Sequence, residues 1–249
     1  MNGGVIAIFV KTPGLSPVKS RLADEIGEEK ATTFYRHAVR ATVETVRAFL
    51  AIHPHWQARF AVAEREGCPD PLWQVFPARY SGSGGLAQRL HRVLRALLCV
   101  HGRVLLLGAD SPQITVADLE TAVAALQRRD WVIGPAADGG FWCLGSRIPL
   151  PLAVWEAAPF DHHDGGASAR VREALITAAG CHGIPAPAML RPLHDIDHRT
   201  DLPAVLTEWP AAKDETAAQR TLRLWIADAI APSPVIPAMA KTASEQAGM

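Results

Sequence analysis

The apolar run Val104-Leu105-Leu106-Leu107 stops abruptly at Gly108-Ala109-Asp110-Ser111-Pro112. So short and so uniformly apolar a run reads as a strand buried on both faces, the pattern of a parallel sheet covered by helices. Pro112 cannot donate to a sheet ladder, so the strand ends before it and delivers Asp110 to its C-terminal mouth. In open α/β sheets that edge is where ligands bind. A similar arrangement recurs twice. Trp131-Val132-Ile133 runs into Gly134-Pro135-Ala136-Ala137-Asp138-Gly139-Gly140-Phe141, and Asp195-Ile196-Asp197 follows a strand-like stretch from Met189 to Leu193. Carboxylates at successive strand ends suit a hard cation such as Mg²⁺ or Mn²⁺ that bridges phosphate oxygens. Taken singly, each also suits a plainer role. Asp110-Ser111-Pro112 can open a helix that begins near Thr115, and Asp138-Gly139 is a common hairpin turn.

The rest of the chain alternates strand and helix signals. Val5–Val10 reads as a first buried strand, followed by the loop Lys11–Pro17, whose prolines and glycine oppose regular structure. Residues 28–52 carry one apolar stripe at three- and four-residue steps and read as a long helix. Ala58–Val62 and Trp73–Phe76 read as the second and third strands. A flexible Ser81-Gly82-Ser83-Gly84-Gly85 loop precedes a helix over 86–99 that bears Arg89, Arg92 and Arg95. Strand 103–108, helix 115–128, strand 131–134 and strand 141–145 follow. Residues 146–187 look irregular, and helices are expected over 202–208 and 215–230. The alternation predicts a largely parallel sheet covered on both faces. Residues 1–230 are expected to form one domain, and 231–249, proline-broken and without periodicity, a disordered tail.

Composition narrows the function. A chain of 249 residues, 49% hydrophobic, can bury a full core. Its 25 basic and 25 acidic residues cancel, so no polyanion-binding surface is implied and nucleic acid is a poor partner. Only five basic residues are lysines, and two of these, Lys11 and Lys19, lie near the first strand. Lys11, Lys19 and Arg21 suit nucleotide phosphates, Arg offering a planar fork; a solvated basic loop is the plainer reading. Cys68, Cys99, Cys143 and Cys181 form no C-x-x-C pair, and Cys99 and Cys143 read as core residues. Val5–Val10 is too short to span a membrane and follows no basic leader, so a cytoplasmic setting is expected. The chain has no Walker A loop, no strand–G-x-G-x-x-G–helix unit and no G-x-S-x-G elbow. His162-His163-Asp164 is its densest group of metal-ligand types, but without the i,i+4 spacing of a zincin it reads as a solvent-facing loop.

Several motifs occur in a familiar order. Val5–Val10 leads to Lys11-x-Pro13 and Val18-Lys19-Ser20-Arg21-Leu22-Ala23. Then come Gly108-Ala109-Asp110-Ser111-Pro112, Gly134-Pro135-Ala136-x-Asp138-Gly139-Gly140-Phe141-x-x-Leu144-Gly145, and Leu193-x-Asp195-Ile196-Asp197. Over about residues 4–208 the chain resembles a bacterial family of glycosyltransferase-A-like proteins of the arsenosugar-biosynthesis type. It is also similar to the guanylyltransferases of molybdenum-cofactor and phospholactate chemistry. The resemblance implies a three-layer α/β nucleotide-diphospho-sugar transferase fold with a mixed, mostly parallel sheet. It implies Asp110 as metal ligand, Asp197 as the second metal-side acid with Asp195 as fallback, and Lys11, Lys19 and Arg21 in the phosphate loop. Ser83, Gly84 and Gly85 fall where the family has a nucleotide-facing Gly-Asp-Leu-Gly, and Leu86 and Arg89 fit that pattern. Gly85 replaces the expected Asp, however, and Ala87 the expected Gly. The family's Trp-Ser-Thr segment is also missing, with Phe160-Asp161-His162-His163 in its neighbourhood.

The activity expected is sugar transfer from a nucleoside diphosphate sugar to a small-molecule acceptor, with Mg²⁺ or Mn²⁺ as cofactor. Lys19 and Arg21 would stabilise the departing phosphate, Asp138 is the candidate base, and Gly139 and Gly140 let backbone approach the ligand. Nucleotidyl transfer, in which a phosphorylated acceptor attacks an NTP and pyrophosphate leaves, would use the same residues. A non-catalytic nucleotide-binding module is the third possibility. The oligomeric state is open.

Overall fold

The computed structural model describes residues 3–160 and 170–230. The expected tail at 231–249 and the His162-His163-Asp164 group lie outside them.

Seven strands form one sheet in the order β3-β2-β1-β4-β6-β5-β7. They are β1 (Gly4–Val10), β2 (Trp56–Val62), β3 (Ala78–Tyr80), β4 (Val104–Leu107), β5 (Trp131–Pro135), β6 (Phe141–Ser146) and β7 (Ala188–Met189). Strand β6 runs antiparallel to both β4 and β5, while every other pairing is parallel. Because β6 reverses between them, β4 and β5 point the same way, and Asp110 and Asp138 emerge at one edge.

Side chains of β1 alternate between two cores, as the period of a strand requires. Ile6, Ile8 and Val10 pack with Val39, Val43 and Phe49 of α2 (Glu28–Ile52) and Leu119 of α4 (Val116–Ala125). Val5 and Ala7 face the other way, toward Leu90 and Leu94 of α3 (Leu86–Leu98), Trp155 of α5 (Leu152–Glu156) and Leu175 of α6 (Val171–Cys181). Helices on both faces make three layers. A third cluster joins α1 (Ser20–Ile26) and α2 to α7 (Leu202–Thr207) and α8 (Ala217–Ile230) through Leu22, Phe34, Leu202 and Leu222.

Four expectations need correction. Trp73–Phe76 is not a strand: Asp70 accepts the Leu72 N–H and Pro71 starts a 3₁₀ turn over Pro71–Trp73. That turn buries Trp73 against Phe60, with ring centroids 5.1 Å apart, and the third strand forms after Pro77. Residues 146–187 are not wholly irregular, since α5 and α6 bury Val154, Trp155 and Leu175 there. Helix α1 was not anticipated; Gly27, at φ 91°, separates it from α2. Cys143 is buried, but Cys99 is exposed, because it caps α3 where the apolar stripe has ended.

Candidate functional site

The C-terminal edge of the sheet opens into a cavity of about 500 Å³. Strand β1 brings Lys11, β4 brings Asp110, and the β5–β6 hairpin brings Asp138 and Gly140. The segment after β7 crosses beside that hairpin. Ala137 N–H donates to Leu193 O and Leu193 N–H to Pro135 O, both at 2.9 Å, so Asp195 and Asp197 enter the same space. The backbone of Asp110 is tied to them directly, its carbonyl accepting Ile196 N–H at 3.0 Å. Phe141 and Phe160, edge to face with centroids 6.2 Å apart, line another wall.

Lys19 occupies the centre of this cluster. It caps α1 in a left-handed conformation (φ 48°), unique among the described non-glycine residues. Its side chain is 4% exposed and its ammonium meets Asp110 Oδ1 at 2.5 Å, Asp197 Oδ1 at 3.2 Å and Ile196 O at 2.5 Å. Burial alone would lower its pKa, but the two carboxylates outweigh burial and hold it above the ordinary value. An ammonium has three donors, and here three acceptors take them. In this arrangement the Lys19 ammonium neutralises aspartates, and its donors are already taken. Arg21 donates from Nη1 to Asp197 Oδ2 at 2.9 Å, and its fork has further donors. Against burial, which pushes up, Lys19 and Arg21 hold the Asp197 carboxyl below its usual range.

Asp138 and Asp195 are differently placed. Asp138 Oδ1 accepts Gly140 N–H at 2.7 Å, closing the hairpin turn, and Asp195 Oδ1 accepts Asp138 N–H at 3.3 Å. Burial, then the neighbouring carboxylates, raise both pKa values, that of Asp195 to about 6. Asp138 is thus both turn residue and cavity wall.

A divalent cation fits this donor set chemically. Of the cations lining the cavity with the four carboxylates, Lys19 and Arg21 pair with them, Lys11 and Arg89 do not, and the outer oxygen of Asp110 has no hydrogen-bond partner among the described residues. No three metal-ligating side chains among those residues converge into a cage. Mg²⁺ needs no such cage, since one or two carboxylates with water and phosphate oxygens suffice to hold it.

Of the other expected residues, Arg89 lines the cavity, whereas Ser83, Gly84, Gly85 and Gly139 do not. Arg92 Nη1 accounts for the loop: it binds the carbonyls of Ser81 and Ser83, at 3.2 and 3.0 Å, and turns the segment onto α3. Ser81 and Ser111 line the cavity instead, their buried hydroxyls without a hydrogen-bond partner among the described residues. Sequence reasoning also missed Tyr35, which grips Lys11 through both its N–H and its carbonyl. Only its place on the buried stripe of α2 was visible.

With residues 4–189 in this sheet order, the fold is that of the nucleotide-diphospho-sugar transferases. A provisionally assigned nucleotide-diphospho-sugar transferase from Desulfovibrio desulfuricans G20 superimposes with a TM-score of 0.73 at 24% identity, covering 92% of this chain and 98% of that one. The chain belongs to the DUF2064 family, uncharacterized proteins conserved in bacteria, which it matches over residues 37–162. More distant matches include 4-diphosphocytidyl-2C-methyl-D-erythritol synthase from Anaerococcus prevotii, with TM-score 0.46, 13% identity, and 91% and 98% of the two chains covered. Another is 2-C-methyl-D-erythritol 4-phosphate cytidylyltransferase from Thermus thermophilus, with TM-score 0.38, 12% identity, and 90% and 100% covered. No curated protein matches the sequence. No helix among the described residues is long and apolar enough to cross a membrane.

Proposed function

We propose that the chain transfers a sugar from a nucleoside diphosphate sugar to a small acceptor, in the cavity at the C-terminal edge of the sheet. The observation that carries this reading is the convergence there of Asp110, Asp138, Asp195 and Asp197 with Lys19, Arg21 and Lys11. The resemblance to arsenosugar-type glycosyltransferases supports a glycosyl donor. An acceptor hydroxyl attacks the anomeric carbon and forms the new C–O bond. The bond from that carbon to the β-phosphate oxygen breaks, its electron pair leaving with the nucleoside diphosphate. Asp138, whose pKa is raised toward the working range of a base, takes the hydroxyl proton. Arg21 and Lys11 bind the departing diphosphate, while Lys19 keeps Asp110 and Asp197 in register. Mg²⁺ or Mn²⁺, held by Asp110 with Asp197 or Asp195, would supply Lewis-acid neutralisation of the diphosphate.

The test is a thermal-shift screen of NTPs and nucleoside diphosphate sugars with and without Mn²⁺, since a ligand of the native state raises stability with its concentration. The reading expects Mn²⁺-dependent stabilisation by a nucleoside diphosphate sugar and release of the diphosphate on turnover. Pyrophosphate release from an NTP would assign nucleotidyl transfer instead, and binding without turnover a non-catalytic module.

A further inference from the structure

Two of the loops that carry the acidic residues, those of Asp110 and Asp195, come from chain segments about 85 positions apart. Gln113, three residues beyond Asp110, is fully buried. Its amide nitrogen donates to His194 O at 2.7 Å and to Glu208 Oε2 at 3.0 Å. Glu208, at the end of α7, accepts the N–H of His194 at 2.8 Å and its Nδ1 at 2.5 Å. One glutamine and one glutamate thus fasten the Asp110 loop to the residue that precedes Asp195.

The amide orientation is fixed, because reversing it would set its oxygen against a carbonyl and a carboxylate. That orientation leaves Oε1 buried without a partner among the described residues. An unsatisfied buried acceptor is destabilising, a cost that an apolar side chain of the same volume would avoid. A glutamine that only filled space would be the worse choice. Its value lies in the link.

We propose that Gln113 and Glu208 are positioning residues: they set the separation of Asp110 from Asp195 and Asp197, and through it the geometry in which these carboxylates meet a divalent cation. The cation half of this statement rests on the reading given under Proposed function; the loop-to-loop link does not. Groups that orient metal ligands without touching the metal commonly change its affinity 10–100-fold when removed.

The experiment uses the full chain with Gln113→Met, Gln113→Glu and, as a core control far from the cavity, Phe49→Leu. Mn²⁺ affinity is measured by calorimetry without nucleotide, urea unfolding gives stability, and hydrogen exchange is followed at the Ile196 amide, which donates to Asp110 O. The expected order of Mn²⁺ affinity is parent, then Met about tenfold weaker, then Glu weaker still, since a carboxylate there faces Glu208. Exchange at Ile196 accelerates in both Gln113 variants and not in Phe49→Leu at comparable stability loss. A space-filling Gln113 would make Met as good as the parent in both measurements, and that result overturns the proposal. If the parent binds no Mn²⁺, the cation reading fails while Ile196 exchange still decides the link. A variant too unstable to measure is replaced by Glu208→Gln, which keeps one acceptor and must give the same changes at smaller amplitude; unchanged exchange there overturns the link.

Discussion

The aspartates at the sheet edge form two unlike pairs. Asp110 and Asp197 are bound by Lys19 and Arg21, so their charge is compensated inside the protein. Asp138 and Asp195 receive backbone N–H groups, and burial, then repulsion from neighbouring carboxylates that include Asp197, raises their pKa values. The first pair is built to be stable without a ligand. The second stores unfavourable charge that a cation or a hydroxyl proton would relieve, as expected where structure yields stability to function.

The hardest blow to this contrast is the loss of Lys19. Breaking a buried ion pair costs about 3–5 kcal/mol, discounted here because Asp110 is half exposed. Lys19→Ala is therefore expected to lose about 2–4 kcal/mol in urea unfolding, and millimolar Mn²⁺ to recover part of it by binding the freed carboxylates. Lys19→Gly removes the charge but also relieves the backbone at φ 48°. A loss much smaller than that of Lys19→Ala would therefore assign the effect to strain and not to charge. Absent recovery would mean that the freed carboxylates do not hold Mn²⁺.

A scaffold pair gives the next measure. Asp118, in the capping box of α4, also holds Arg191 bidentately. Burial would raise its pKa, but the Arg191 and Thr115 hydrogen bonds hold it below the ordinary 3.8. Its stabilisation is thus complete above pH 3.8 and lost as pH falls through the lower folded value. Asp118→Asn is expected to cost about 1–2 kcal/mol at pH 7 and to flatten the acid limb of a stability–pH curve. An unchanged limb would remove Asp118 from the acid response.

The uncompensated pair should respond with opposite sign. Asp195→Asn keeps an acceptor for the Asp138 N–H and removes a repelled charge. Stability should rise by about 0.5–1 kcal/mol while Mn²⁺ or nucleotide binding weakens; a loss of stability would show Asp195 to be compensated after all.

The parts of this site legible in sequence are those whose signal is local. Val104–Leu107 followed by Gly-x-Asp, and Trp131–Ile133 followed by Asp-Gly-Gly, announce a strand end within a few residues, and both meet in one cavity. What escaped reading lies in tertiary space. Nothing near Gln113 announces Glu208, and the three acceptors that take the Lys19 ammonium come from distant segments, so its role in holding the aspartates together could not be read locally. Trp73–Phe76 misled because an apolar run outweighed Asp70-Pro71, the start signal of a helical turn. The turn of Ser83–Gly85 onto α3 was not legible because the side chain that holds it, Arg92, lies on the next helix.

The smallest expected change in stability is the most specific test of the hairpin's role. Gly139, at φ 97°, is needed for the turn itself, so its replacement would confuse strain with function. Gly140 is not in the left-handed region, and a Cβ there would meet Asp138 Oδ1 at 3.1 Å. The neighbour must give by a few tenths of an ångström, and Asp138 is free to do so toward the cavity it lines. Gly140→Ala should therefore cost under about 1 kcal/mol of stability while displacing the carboxylate and narrowing the cavity. Affinity for a nucleoside diphosphate sugar, read by calorimetry at matched Mn²⁺, should fall by more than the stability change converts to. If affinity and stability fall together, or affinity is unchanged, the hairpin is a turn beside the site and Asp138 has no part in binding.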